Sequence, residues 1–291
     1  MKVIAPPINL IAHRGICLYR VPENTIPGLR EALEKGFLIE TDLQKIKDAN
    51  VLFHDKFIPG PNDTDINGGG FYLPSGKKPI TECTLDELRL KAKFDKTKLE
   101  TLLTEQAGES VHLEINEEPH IATLDEFLSL LKQFPSSKAF LEIKRPELNT
   151  TYNDGLEKEL IGMVSDLDLI NNIIINTSSL STLENIRKVS SDIEISIDTD
   201  FIDGIESAHN LNEAKRLEEE LKLNYWNPPF GEVHKELLED IEKIGLNIAT
   251  WINHATKQRE FEEIKRLISI GVKYIFTDQA EEVKRLLVVK S

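Results

Sequence analysis

Apolar residues follow two alternating rhythms along most of the chain, and the alternation predicts the architecture. Short runs rich in β-branched and other apolar residues span 8–13, 37–44, 139–144, 173–177, 194–199, 221–226, 247–253 and 274–278. They are brief and end in polar clusters, so they read as strands. Between them, apolar positions recur every three or four residues over 24–36, 124–134, 153–167, 181–189, 206–218, 232–245, 257–271 and 281–288, the period of an amphipathic helix. In the first of these Leu29, Ala32 and Leu33 share one side, Asn24 is placed to cap the start, and Gly36 stops it. Eight strands, each followed by a helix, predict an α/β fold, a (β/α)8 TIM barrel formed as a single domain over 1–291.

The rhythm fails between 56 and 122. Pro59-Gly60-Pro61-Asn62, Asn67-Gly68-Gly69-Gly70 and Pro74-Ser75-Gly76 supply turn chemistry there, with only short helical or strand-like pieces such as 84–90 between them. This predicts an insertion lobe after the second strand. Gly68-Gly69-Gly70 reads as flexible loop and not as a phosphate cradle, since no helix follows to aim its dipole. Just before the insertion, a turn at Lys47-Asp48-Ala49-Asn50 folds 51–54 back as a hairpin arm that carries His54 toward the second strand.

Barrels of this kind carry their chemistry at the C-terminal ends of strands. Glu40 and Asp42 stand two residues apart in a β run, so their carboxylates share a face. Like charges about 4 Å apart repel by about 4 kcal/mol at a surface-like dielectric, so the pair must bind a metal, pair with bases or carry a proton, and metal is the leading reading. Glu142 and Lys144 repeat the spacing at the end of the third strand, adding a third carboxylate and a fixed positive charge. Three oxygen donors suit a hard divalent cation, Mg or Ca, and the lack of a nearby His or Cys set disfavours zinc. His13 and His54 end β runs inside the same cluster and can exchange protons near neutral pH, while Arg14 can clamp an anion. Trp251 ends the seventh strand either as core or as a flat wall for a carbon skeleton. His112, His120, His209, His234 and His254 read as ordinary structural residues, with His254 alone near a strand end.

Charge narrows the partner class. The 291 residues carry 35 Lys and Arg against 50 Asp and Glu, a formal net charge of -15, which offers no basic face for a nucleic-acid backbone. Cys17 and Cys83 are too few for a disulfide framework and read as two plain thiols. No run reaches the roughly 18 apolar residues of a membrane helix. The first ten residues hold Pro6 and Pro7 where a signal peptide would carry its apolar centre. The expectation is a cytoplasmic protein without stable membrane insertion, or a periplasmic or extracellular one if a signal peptide has been removed.

Taken in order, His13-Arg14-Gly15, Pro22-Glu23-Asn24-Thr25, Glu40-Thr41-Asp42, His54-Asp55, Leu141-Glu142-Ile143-Lys144 and Trp251-Ile252-Asn253 resemble the glycerophosphodiester phosphodiesterase family. The likeness covers nearly the whole chain, and the insertion resembles the small lobe that family carries after its second strand. The resemblance implies a hydrolase of glycerophosphodiesters, small molecules of lipid and glycerol metabolism, that releases an alcohol and sn-glycerol 3-phosphate. It implies that Glu40, Asp42 and Glu142 hold the metal, that His13 and His54 are general acid and base, and that Arg14 and Lys144 bind phosphate. It also implies that Glu23 and Asn24 shape the site, Asn24 lying near metal or phosphate. Two positions depart from the pattern: Ala49-Asn50 replaces the glycine usual before His54, and Ile46 stands where threonine is common; asparagine tolerates the left-handed turn. Two other readings use the same residues. One is a phospholipase D-like or phosphatidylinositol-specific phospholipase on the same barrel, which the acidic charge and lack of a basic amphipathic segment disfavour. The other is a non-catalytic phosphodiester-binding barrel.

Overall fold

Parallel pairing runs unbroken around a ring of strands, because each buried apolar run is followed by a helix that returns the chain to the same end. The computed structural model describes residues 8–16, 21–63, 69–115, 118–145, 155–199, 210–252 and 257–288. The ring comprises β1 (Asn9–Ala12), β2 (Leu38–Lys45), β3 (Ala139–Ile143), β4 (Ile173–Thr177), β5 (Glu194–Asp198), β6 (Tyr225–Asn227), β7 (Asn247–Trp251) and β8 (Tyr274–Thr277). Each pairs with the next in sequence, and β8 closes onto β1 with Ile275 opposite Leu10. The returning helices are α1 (Ile26–Glu34), α2 (Leu124–Leu131), α3 (Leu156–Asp166), α4 (Leu180–Val189), α5 (Leu211–Leu221), α6 (Lys235–Ile244), α7 (Lys257–Ile270) and α8 (Ala280–Val288). This is the expected TIM barrel, with an extra strand, Asn50–Leu52, lying antiparallel on β2 outside the ring.

Alternation along the strands divides the core in two. Outward residues such as Leu10, Ile39, Leu43, Leu141, Ile143 and Ile195 pack against the helices. Inward residues Ile11, Phe140, Ile174, Tyr225, Ala249 and Phe276 fill the barrel itself. The Phe140 ring stands edge-on to Tyr225 at 5.2 Å and to Phe276 at 5.1 Å between centroids, a favoured aromatic geometry. This plug matters for the site. With the barrel filled below, polar inward residues one or two steps further along each strand are held at its mouth.

Several boundaries differ from the pattern for identifiable reasons. Asn24 does not cap α1: Thr25 is the N-cap residue, Pro27 lies in the first turn, and Asn24 sits at φ 55° with its side chain turned elsewhere. The sixth strand begins at Tyr225 and not at 221, because α5 runs to Leu221 and Lys222 ends it in the left-handed conformation at φ 53°. The expected start of that helix at 206, and of the α3 helix at 153, lie outside the described residues. Cys17, His209, Asn253 and His254 also lie outside them.

Between the arm and α2, the chain forms two small antiparallel sheets, Phe57–Ile58 with Lys78–Pro79 and Phe71–Tyr72 with Lys93–Phe94. Two helices accompany them, Leu85–Leu90, capped by Thr84, and Lys96–Ala107, capped by Asp95. The second was not legible as a helix, since its buried stripe rests on Leu99 and Leu103 packed with Val111 and Leu113. Gly68 is outside the described residues. Gly69 and Gly70 form a turn in which, at Gly70, φ 85°, an added Cβ would meet Phe94 Cε2 at 2.9 Å. Among the described residues no helix is long and apolar enough to cross a membrane.

Candidate active site

The site begins with a sharp turn at the end of β1. His13–Gly15 forms a single 3-10 turn, with Arg14 at φ 53° and Gly15 at φ 73°. A side chain at Gly15 would place Cβ 2.9 Å from the Leu29 backbone nitrogen, so α1 packs directly on the turn. The turn aims the Arg14 backbone N–H at Glu40 Oε2 over 2.9 Å and brings the Arg14 carbonyl to the Asn24 N–H, also at 2.9 Å. His13 is thereby held over β2, its Nε2 3.9 Å from Glu40 Oε2.

On β2, Glu40 and Asp42 point into the mouth and are nearly fully buried. Parallel register sets Asp42 beside Glu142 of β3, and ligand oxygens of Glu40, Asp42 and Glu142 lie within 4.8 Å of one another. Lys144 follows β3 directly and bridges two of them, Nζ standing 3.1 Å from Asp42 Oδ1 and 2.9 Å from Glu142 Oε1. Asn24, freed from capping, donates to Asp42 Oδ2 over 2.8 Å and accepts from Thr41 Oγ1 and the Asp42 N–H. Its left-handed backbone is what lets one short side chain reach both.

The second histidine is delivered by the arm. Phe53 N–H donates to the Asp42 carbonyl, and buried Gln44 places Nε2 at 2.7, 3.2 and 2.9 Å from the carbonyl oxygens of Phe53, His54 and Asp55. Both imidazoles are backed by an aspartate at Nδ1: His54 by Asp55 at 2.7 Å and His13 by Asp278 at 2.9 Å. A carboxylate on Nδ1 fixes the ring and leaves Nε2 as the exchanging atom.

Electrostatics single out Glu40. Burial first, then the charges of Asp42 and Glu142, push its carboxyl well above the ordinary range. Burial also opposes ionisation of Asp42, yet Lys144, His54 and Arg14 hold it well below its ordinary value. Arg14 donates to Glu23 Oε2 over 2.9 Å and lies 3.6 Å from Asp42. Its guanidinium is buried but kept firmly charged by Glu23, Asp42 and Glu40. Burial raises Glu23, and Arg14 counters it. Glu40 Oε1 is buried with no hydrogen-bond partner. Fully ionised, Glu23, Glu40, Asp42 and Glu142 against Arg14 and Lys144 would carry two surplus negative charges (4 − 2), an excess that burial resists by pushing the Glu40 carboxyl up. An orphaned carboxylate oxygen, two surplus charges and an all-oxygen donor set fit a divalent cation.

Trp251 joins the inner aromatic plug from β7 while staying half-buried at the mouth, so it serves the core and keeps a face available. Sequence reasoning gave no role to Asp278 at the end of β8, to Gln44, or to the amide cage around Asp198. There Asn176 Nδ2 donates to Asp198 Oδ2 over 2.8 Å, and Asn227 Nδ2 lies 3.2 Å from Oδ1. Burial and the charge of Glu142 push Asp198 up to about 7. Asp278 and Asp198 both follow apolar runs as strand-end acids, the same signal that marks Asp42.

A filled parallel barrel whose mouth gathers an oxygen donor cluster between two aspartate-backed imidazoles defines a TIM-barrel enzyme of the phosphoryl-transfer kind. The sequence model of the glycerophosphoryl diester phosphodiesterase family matches residues 13–282, and the chain belongs to that family. No curated protein sequence matches the chain. Solved structures share the fold. A Silicibacter pomeroyi protein assigned as a glycerophosphoryl diester phosphodiesterase is 19% identical with a TM-score of 0.76, over 98% of this chain and 94% of that one. A Galdieria sulphuraria protein assigned as a glycerophosphodiester phosphodiesterase is 20% identical with a TM-score of 0.75, over 99% and 100%. An Oleispira antarctica phosphodiesterase, solved in complex with its product sn-glycerol-3-phosphate, is 18% identical with a TM-score of 0.68, over 96% of each chain.

Proposed function

We propose that the protein hydrolyses glycerophosphodiesters to an alcohol and sn-glycerol 3-phosphate, with His13 and His54 as general acid and base and Glu40, Asp42 and Glu142 holding a divalent cation, Mg or Ca. The observation that carries the proposal is the orphaned Glu40 oxygen within a three-carboxylate cluster that two Asp-backed histidines flank. Family membership and the product bound to the Oleispira antarctica enzyme support the substrate class.

When bound, the ion draws charge from the nonbridging phosphate oxygens. Arg14 and Lys144 carry fixed positive charge beside Asp42 at the mouth, and they orient the phosphate and offset the negative charge that grows on it. One imidazole takes the proton of the attacking oxygen, either water or the glycerol's own 2-hydroxyl, at Nε2, while the other gives a proton to the departing alcohol; where the 2-hydroxyl attacks, the cyclic phosphate it forms is then opened by water to give sn-glycerol 3-phosphate. Glu23 keeps Arg14 extended and Asn24 keeps Asp42 aimed, so both act on orientation. The exposed part of Trp251 supplies an apolar wall for the glycerol carbons. The 56–122 insertion, within a single catalytic domain, shapes the approach of the leaving alcohol; support comes from Gly69, where an added Cβ would lie 3.1 Å from Glu23 Cγ.

The test is product release from a deacylated diester such as glycerophosphocholine. Glycerol 3-phosphate should appear with Mg or Ca and disappear with EDTA. Undiminished turnover in EDTA would remove the ion, binding without product would leave only a binding barrel, and turnover confined to intact phospholipid would favour a phospholipase.

A further inference from the structure

Glu260 stands on α7, outside the strand ends that carry the chemistry, yet it is only 5% exposed. Its carboxylate takes a hydrogen bond from Thr277 Oγ1 and another from the backbone N–H of Asp278. Thr277 Oγ1 in turn accepts the Gln279 N–H at 3.0 Å. The side chain therefore ties together three consecutive residues at the corner between β8 and α8. Asp278, the middle of the three, is the residue whose Oδ1 lies 2.9 Å from His13 Nδ1.

A buried carboxylate facing another acid is a costly way to hold a helix on a barrel. Burial and the nearby Asp278 push Glu260 up to about 7, and an apolar residue would pack at that position without the penalty. What the carboxylate supplies, and an apolar residue cannot, is two acceptor oxygens for the Thr277 hydroxyl and the Asp278 N–H. We propose that Glu260 is a positioning residue: it clamps the β8–α8 corner so that Asp278 keeps the His13 ring turned with Nε2 toward the carboxylate cluster. The inference deepens the functional reading above, since it rests on His13 as a proton carrier.

The clamp separates from general scaffolding by its coupling. In the full chain, with glycerophosphocholine and saturating divalent ion, Glu260→Leu should lower kcat by about ten- to a hundredfold with KM nearly unchanged, as expected when a reacting group is misaimed and substrate binding is intact. Glu260→Gln keeps one acceptor oxygen for the Asp278 N–H and can turn its amide N–H toward the Thr277 hydroxyl oxygen, so it should restore part of the activity that leucine loses. In an Asp278→Ala background, Glu260→Leu should cost less than about twofold, because the residue through which it acts is gone. Thr277→Val and Thr277→Ser repeat the comparison without touching Glu260, so the test survives even if Glu260→Leu does not fold; valine should lose activity and serine retain it. Equal losses from Glu260→Leu in both backgrounds, or equal losses from valine and serine at 277, overturn the clamp. Wild-type turnover by His13→Ala would instead overturn the catalytic reading, so the two failures are distinguishable.

Discussion

Replacing Glu40 by glutamine should make the metal-free protein more stable and the metal-loaded protein less stable. At an effective dielectric near 20, two carboxylates with oxygens within 4.8 Å of each other repel by at least about 3 kcal/mol. Lys144 sits against Asp42 and Glu142 but not against Glu40, so Glu40 carries the least compensated share of that repulsion. Its direct help is the Arg14 N–H, which a glutamine carbonyl oxygen can still accept. Glutamine also places an N–H pair where Oε1 now lacks a partner, turning an acceptor surrounded by acceptors into a donor. Together these should stabilise the chelated protein by about 1–3 kcal/mol. With ion at a thousand times its dissociation constant, the wild type gains about 4.1 kcal/mol, more than that difference, and the variant, missing one of three ligands, gains little. Urea unfolding in EDTA and in Mg or Ca should therefore show the two stability curves exchange order. If Glu40→Gln is the weaker protein in EDTA as well, or if the ion leaves the wild type unmoved, the cluster is an ordinary acidic patch and the metal argument fails.

Other consequences are more local. His13→Ala and His54→Ala should each reduce kcat by at least about a hundredfold, measured as glycerol 3-phosphate release with the ion saturating. Gln44→Leu strips the donor shared by three carbonyls behind His54; it should lower unfolding free energy by about 1–3 kcal/mol and depress turnover more than its stability loss explains. Glu260 gives a signed pH effect. Its folded carboxyl is raised from 4.5 to about 7, so between those values the unfolded chain has released the proton that the folded chain keeps. Stability should thus fall by roughly 3 kcal/mol as pH climbs through that window and stay at the lower level above it; urea midpoints of Glu260→Gln, compared with wild type from acid to neutral, should lack that fall. Gly15→Ala should cost about 1–3 kcal/mol, since φ 73° and the Leu29 backbone both oppose a Cβ. A midpoint shift below the error of denaturant titration would show that the turn relaxes.

The barrel was legible because its signal is repeated and local. Strands such as Ile173–Thr177 appear in the sequence with the bounds the structure gives, since a buried parallel strand is a short apolar run between polar ends. The boundaries that moved are those set by single side chains with a tertiary alternative. Asn24 has the chemistry of a helix cap, but Asp42 and Thr41 engage it first. Lys222 has no turn signature, yet it ends α5 in a left-handed conformation that only the packing of Leu223 and the next strand rewards. The helix Lys96–Ala107 stayed hidden because its apolar stripe is narrow and buries against its own loop.

Period-two spacing alone put Glu40 with Asp42, and strand-end position alone nominated His13 and Glu142; both follow from rules that hold within one strand. Which strand neighbours which, and in what register, is not local information. Only closure of the ring sets Asp42 beside Glu142, draws Asp278 from 265 residues away onto His13, and buries Glu40 so deeply that one of its oxygens has nothing to bind. Residue types thus follow from the chain, whereas their charges, partners and unmet needs follow from burial, which exists only once the distant strands have met.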